Sequence, residues 1–143
     1  MFQKLVVAYN ESPESERALA SAIRLAKSLN AELQTVTVMA DLPAYTAYAE
    51  VDSSISRLLE DDRLMFYEQL KDKARRFATS HGIEIHSHLI EGRQVESIVD
   101  FLRQQKADLL VLGLHQRDLY ISRLWSTVYE LAQEAPCSVL GVH

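Results

Sequence analysis

Apolar residues recur along this chain in two rhythms, one with the period of a strand and one with the period of a helix. Residues 5–8 (Leu5, Val6, Val7, Ala8) form a short continuous apolar run with β-branched side chains. Such a run predicts a strand buried on both faces, as central parallel strands are. Ser12 and Pro13 then supply a helix start: a hydroxyl that can cap free N–H groups, and a ring suited to the first helical position. Leu19, Ala22, Ile23, Ala26 and Leu29 follow at helical spacing, and the helix closes near Asn30. Residues 33–39 predict a second strand, with Val36 and Val38 on one face and Thr35 and Thr37 on the other. Residues 40–52, with Pro43, Tyr45 and Tyr48, show no period and read as a loop.

A long helix is predicted over residues 53–80. Ile55, Leu59, Phe66, Leu70, Ala74 and Phe77 mark its buried stripe, and Asp61, Asp62, Lys71, Asp72 and Arg75 its solvated face. Gly82 is placed to terminate it. Residues 83–90 alternate, which suits a strand near a sheet edge. Gly92 turns the chain into a helix with Val95, Ile98, Val99 and Leu102. Residues 109–112 are another fully buried strand ending at Gly113, and residues 114–124 read as a loop. A helix over 125–135 follows, Pro136 stops it, and residues 139–142 form the last strand. Strands that alternate with helices imply an α/β fold: an open five-stranded parallel sheet with helices on both faces and right-handed crossovers.

Composition narrows the class. The chain has 143 residues, 48% hydrophobic and 24% charged, which fits one domain able to fold without a staple. Twenty acidic against 15 basic residues give a net charge of −5, the opposite of the basic stripe that nucleic-acid binding needs. The single cysteine, Cys137, cannot make an internal disulfide, so a reducing, cytoplasmic setting is expected. The first ten residues hold too short an apolar run for a signal peptide, and no stretch approaches the roughly 20 apolar residues of a membrane span.

In an open parallel sheet, ligands bind beyond the carboxyl ends of the strands, where the strand order reverses. The end of the first strand (Tyr9, Asn10, Glu11, Ser12), the end of the second (Val38, Met39) and the loop from Gly113 onward converge there. The opening Leu-Val-Val-Ala-Tyr-Asn-Glu-Ser resembles that of the universal stress proteins, which usually reads Val-Ala-Val-Asp-Gly-Ser. The stretches 107–113 (Ala-Asp-Leu-Leu-Val-Leu-Gly) and 135–140 (Ala-Pro-Cys-Ser-Val-Leu) are also similar to that family. The resemblance implies a Rossmann-like sheet in strand order 3-2-1-4-5. It also implies an adenine site with an Asp after the first strand and a Val at the end of the second. Their positions here are Asn10 and Val38. The family's phosphate loop reads Gly-x-x-Gly, nine residues, then Gly-Ser/Thr. Its positions here are Gly113, Gln116, Ser126 and Thr127.

Two of the three loop glycines are therefore replaced. Glycine there permits φ > 0 and a close approach of backbone to phosphate, and a Cβ in that region costs about 1–2 kcal/mol. Gly113, His115, Arg117, Arg123, Ser126 and Thr127 remain as anion-binding candidates. The run Gly113-Leu114-His115-Gln116 resembles the branch typified by universal stress protein A, which lacks the glycine loop and is associated with no ATP binding. The resemblance thus implies a non-catalytic stress-response protein acting through protein partners, with no cofactor. The rival expectation is an ATP- or AMP-binding switch, with slow ATP hydrolysis a third. Family members commonly dimerise through the last strand, which implies a homodimer through Cys137, Val139, Leu140, Gly141 and Val142; an apolar edge strand invites such pairing.

Other features read plainly. Glu84, His86 and His88 share one strand face, read as an exposed edge rather than a metal site. Cys137 reads as a small buried hydrophobe. Ser12 has no nucleophile elbow around it and reads as a helix cap. Tyr45, Tyr48, Tyr120 and Trp125 suit either a partner surface or lids on the core.

Overall fold

The computed structural model describes residues 1–39, 53–114 and 127–143. In chain order the elements are β1 (Lys4–Ala8), α1 (Pro13–Leu29), β2 (Glu32–Met39), α2 (Ser53–Ser80), β3 (His86–Glu91), α3 (Gln94–Gln105), β4 (Leu109–Gly113), α4 (Thr127–Glu134) and β5 (Ser138–Val142). The strands form one parallel sheet in the order β3-β2-β1-β4-β5. This is the expected open α/β architecture with the expected strand order.

The continuous apolar run of β1 follows from its place at the centre. Leu5 and Val7 point to the layer made by α1 and α2, where they meet Ala18, Leu19, Ala22, Leu70 and Ala74. Val6 points to the layer made by α3 and α4, against Ile98, Leu102, Leu110 and Leu131. β2 is covered on both sides too: Val36 is buried, and so are Thr35 and Thr37 opposite it. Burial of this kind contributes roughly 1.5–3 kcal/mol for each large aliphatic side chain.

Local chemistry sets the element ends. The Ser12 hydroxyl accepts from the Ser15 N–H, and Pro13 opens α1. Asn30 closes it in the left-handed region at φ 52°, while the Ala31 N–H reaches back to the Ala26 carbonyl. Gly82 takes φ +80° just after α2, the stop that its position predicts. Asp108 pins the lower edge of the sheet, because its carboxylate accepts from the Gln3 N–H (2.7 Å) and the Lys4 N–H (3.0 Å). That clamp registers β4 beside β1 before their apolar residues pair.

Two expectations are corrected. Leu59 and Phe66 were placed in the buried stripe of α2, yet each is 46% exposed. At 28 residues, α2 is about 42 Å long, while a strand of six to eight residues spans about 20–26 Å. Among the described residues its core contacts begin at Tyr67, and Arg63 already lies level with Glu91 at the end of β3. The earlier turns run past the sheet. β3 also starts at His86 rather than at residue 83, because its ladder with β2 begins at the Gln34–His86 pair.

β3 is an edge strand, as expected, but its histidines differ. His86 is exposed, whereas His88 packs its ring on Phe101 of α3 at 4.9 Å. The His88 Nε2 atom is buried with no hydrogen-bond partner among the described residues. Burial, helped by the charges of His86 and Lys71, holds the His88 pKa below its ordinary value. The unfolded chain binds that proton more readily, so the neutral ring favours the fold. Its contribution is full above about pH 6.5 and is lost as pH falls from there through the lowered folded value. The urea midpoint should therefore fall between pH 7.5 and pH 5.5, and His88→Phe should fall less. An equal fall in both proteins contradicts this reading of His88.

Candidate functional site

A crevice of about 220 Å³ opens beyond the carboxyl ends of β1 and β4, on the side covered by α3 and α4. Its lining comes from the end of β1 (Ala8, Asn10), the start of α1 (Ser12, Glu14, Ser15), the end of β4 (Leu112, Gly113), α3 (Gln94) and α4 (Thr127, Leu131). The fold thus gathers Asn10, Gly113 and Thr127, which lie more than 100 residues apart at the extremes. Val38 packs against the α3/α4 layer without lining the crevice. His115, Arg117 and Ser126, with Gln116 and Arg123, lie outside the described residues.

The turn from β1 to α1 is knotted by hydrogen bonds. The Asn10 Oδ1 atom accepts from the Ser12 N–H at 2.8 Å and from the Ser12 hydroxyl at 2.5 Å. The Ser15 hydroxyl accepts from the Asn10 N–H at 3.2 Å and donates to the Asn10 carbonyl at 2.7 Å. Ser15 is buried, so this knot is part of the fold and not a surface ornament. The acceptor oxygen of Asn10 is therefore committed to the turn. Its NH₂ group keeps the donor capacity that an incoming base or phosphate would meet.

Among the described residues the crevice offers phosphate no cationic side chain. The described lining includes Glu14 and no Lys, Arg or His. Glu14 and Glu16 both sit in the first turn of α1, where they answer the partial positive charge of the helix end. Catalysis would need a paired acid and base, and the described lining offers only Glu14 as a titratable side chain.

The motif of the universal stress protein family matches residues 1–143. The chain belongs to this family. Universal stress protein MJ0531 of Methanocaldococcus jannaschii is 32% identical to it, over 99% of this chain and 82% of that one. Among solved structures, a universal stress protein in complex with cAMP is 25% identical with a TM-score of 0.77, over 99% and 97% of the two chains. UspA from Lactobacillus plantarum shares the fold at 19% identity with a TM-score of 0.78, over 99% and 98%.

Within this universal stress protein, the one retained loop glycine has a structural task of its own. A Cβ built on Gly113 would lie 2.3 Å from the Glu14 carbonyl oxygen and 2.4 Å from its carbon. The start of α1 presses directly on the end of β4, and only glycine admits that approach. Gly141 is shaped by packing as well, since a Cβ there would meet the Leu114 side chain at 2.8 Å. The Leu114 N–H also donates to the Val142 carbonyl at 2.7 Å, which keeps Leu114 beside β5.

The remaining candidates fall away from this site. Cys137 is half-buried against the α3/α4 layer. Burial and the nearby Asp108 charge push its thiol pKa up, partly offset by a backbone hydrogen bond involving Leu110. It has no thiolate character to make it reactive. Among the described residues no group of three His, Cys, Asp or Glu could hold a metal ion. Glu84 precedes β3 and does not join the two histidines on the strand.

Sequence reasoning missed Glu14, Ser15 and Gln94 as lining residues. The spacing of Asn10, Ser12 and Ser15 around Pro13 is the signal for the knot, since short polar side chains cluster where they can bond their own backbone. Gly113→Ala tests the packing role assigned to that glycine. With no ligand present it should lower unfolding stability by roughly 1–3 kcal/mol in urea, the usual range for overpacking against backbone. An unchanged midpoint would show that Gly113 is free for phosphate contact instead.

Proposed function

We propose that this chain is a non-catalytic stress-response protein that works as a homodimer through protein partners and holds ATP weakly or not at all. The carrying observation is the knotted turn. The Asn10 oxygen at the family's adenine position is already bonded to Ser12, and Glu14 lines the same crevice. The sequence adds Gln116 and Ser126 at two glycine positions of the phosphate loop.

The dimer reading rests on β5. It ends the sheet next to β4, and Leu140 leaves 40% of its surface exposed there, with Val139 and Val142 partly buried beside it. An apolar edge of that kind is relieved by pairing with a second copy.

A second reading, a switch that binds an adenine nucleotide with few phosphates, is favoured by the related universal stress protein solved with cAMP. A monophosphate asks less of the loop glycines than a triphosphate does. Native mass spectrometry separates the readings in one experiment. The protein, incubated with ATP and Mg²⁺, should fly as two chains without added mass, and Leu140→Asp should fly as one chain. One adenine nucleotide per chain would overturn the first reading in favour of the second. A Leu140→Asp protein that stays dimeric would remove the β5 interface.

A further inference from the structure

The chain turns over at the end of β1. Ala8 faces the crevice, whereas the next residue, Tyr9, faces the opposite layer between α1 and α2. The Tyr9 N–H donates to the Val36 carbonyl at 2.9 Å, which fixes the backbone, and the side chain is only 3% exposed. Its phenol nevertheless makes no hydrogen bond to any described residue. Burial pushes its pKa up, with the Lys73 charge opposing and the Glu16 charge adding to the shift. The phenol therefore stays protonated and is a donor at neutral pH. The hydroxyl is not among the buried atoms that lack a partner, so it opens to solvent at the edge of the buried ring and is free to donate to a ligand.

Beside the phenol lies a cavity of about 130 Å³, lined by Tyr9, Glu16, Leu19, Lys73 and Phe77. A cavity of about 150 Å³ is enough for a benzene ring in other proteins, so this one is of single-ring size. Leu19 and Phe77 give it apolar walls. Lys73 pairs with Glu16 across α1 and α2, and both side chains are about half exposed, which puts the ion pair at the rim. Each of those charges is already matched by the other. The one polar group of the described lining without a protein partner is the neutral Tyr9 O–H.

We propose that this cavity is a second small-molecule site, separate from the crevice. Its ligand class is an uncharged single-ring or branched molecule carrying one hydrogen-bond acceptor, such as a ketone or amide oxygen, set against the Tyr9 O–H. A carboxylate is disfavoured, because Glu16 holds Lys73, the one cation of the described lining. The first turn of α1 divides the two sites: Ser12, Glu14 and Ser15 face the crevice, and Glu16 and Leu19 face the cavity.

The test uses acetophenone as the acceptor-bearing probe, ethylbenzene as its apolar counterpart and benzoate as its charged one. Methyl and aromatic NMR signals of the dimeric protein are followed during titration. Acetophenone should shift the Leu19 and Phe77 signals saturably, with ethylbenzene binding about tenfold more weakly, the size of one net hydrogen bond, and benzoate weakened by the Glu16 charge. Tyr9→Phe removes a phenol oxygen that holds nothing in the fold, so it should fold normally and bind acetophenone and ethylbenzene alike. The proposal is overturned if no probe shifts Leu19 and Phe77 saturably. It is also overturned if Tyr9→Phe keeps the preference for acetophenone, or if the shifts centre on Asn10 and Thr127.

Discussion

The close approach of the first turn of α1 to the end of β4 is the contact on which the rest of this molecule depends. Gly113 has no side chain because the Glu14 backbone occupies that space. The approach brings the β1 turn and the β4 end together, and the Asn10–Ser12–Ser15 bonds hold the turn in that position. A crevice at the carboxyl ends of the strands follows from the strand order alone. Its chemistry follows from what this contact consumes: one glycine, one amide oxygen and two hydroxyls serve the fold.

The same turn has a second face. Just past the end of β1, consecutive residues Tyr9 and Asn10 open toward opposite layers, and the start of α1 borders both the crevice and the cavity. On the crevice side the Asn10 Oδ1 atom and the Ser12 and Ser15 hydroxyls are bonded within the turn, while the Asn10 NH₂ group keeps its donors. On the α1/α2 side a buried phenol is left without a described partner next to an apolar cavity. The molecule thus keeps a crevice whose Asn10 oxygen is committed to the turn, and it offers a further donor on the opposite layer.

Much of the fold was legible because burial on two faces leaves a mark that one residue string can carry. Leu5-Val6-Val7-Ala8 and Leu109-Leu110-Val111-Leu112 could only be central strands, and Pro13, Gly82 and Pro136 punctuate the helices between them. The buried stripe of α2 was misread at Leu59 and Phe66, since helical period records which side is apolar and not where the sheet beneath it ends. The site was legible in part. Asn10, Gly113 and Thr127 were placed together by topology and family spacing. The commitment of Asn10 to Ser12, the role of Glu14 behind Gly113 and the cavity at Tyr9 depend on three-dimensional approach, which no spacing rule encodes. Val38 shows the converse: its position in the motif is kept, but its side chain serves the core.

The central claim is that local replacements, set on an intact family fold, are what keep ATP out. It is tested most directly by restoring them and titrating ATP with Mg²⁺ in a calorimeter. Wild type should give no binding heat, and the combined variant Asn10→Asp, Gln116→Gly, Ser126→Gly should gain saturable binding. Wild-type binding as tight as that of the variant would contradict the account.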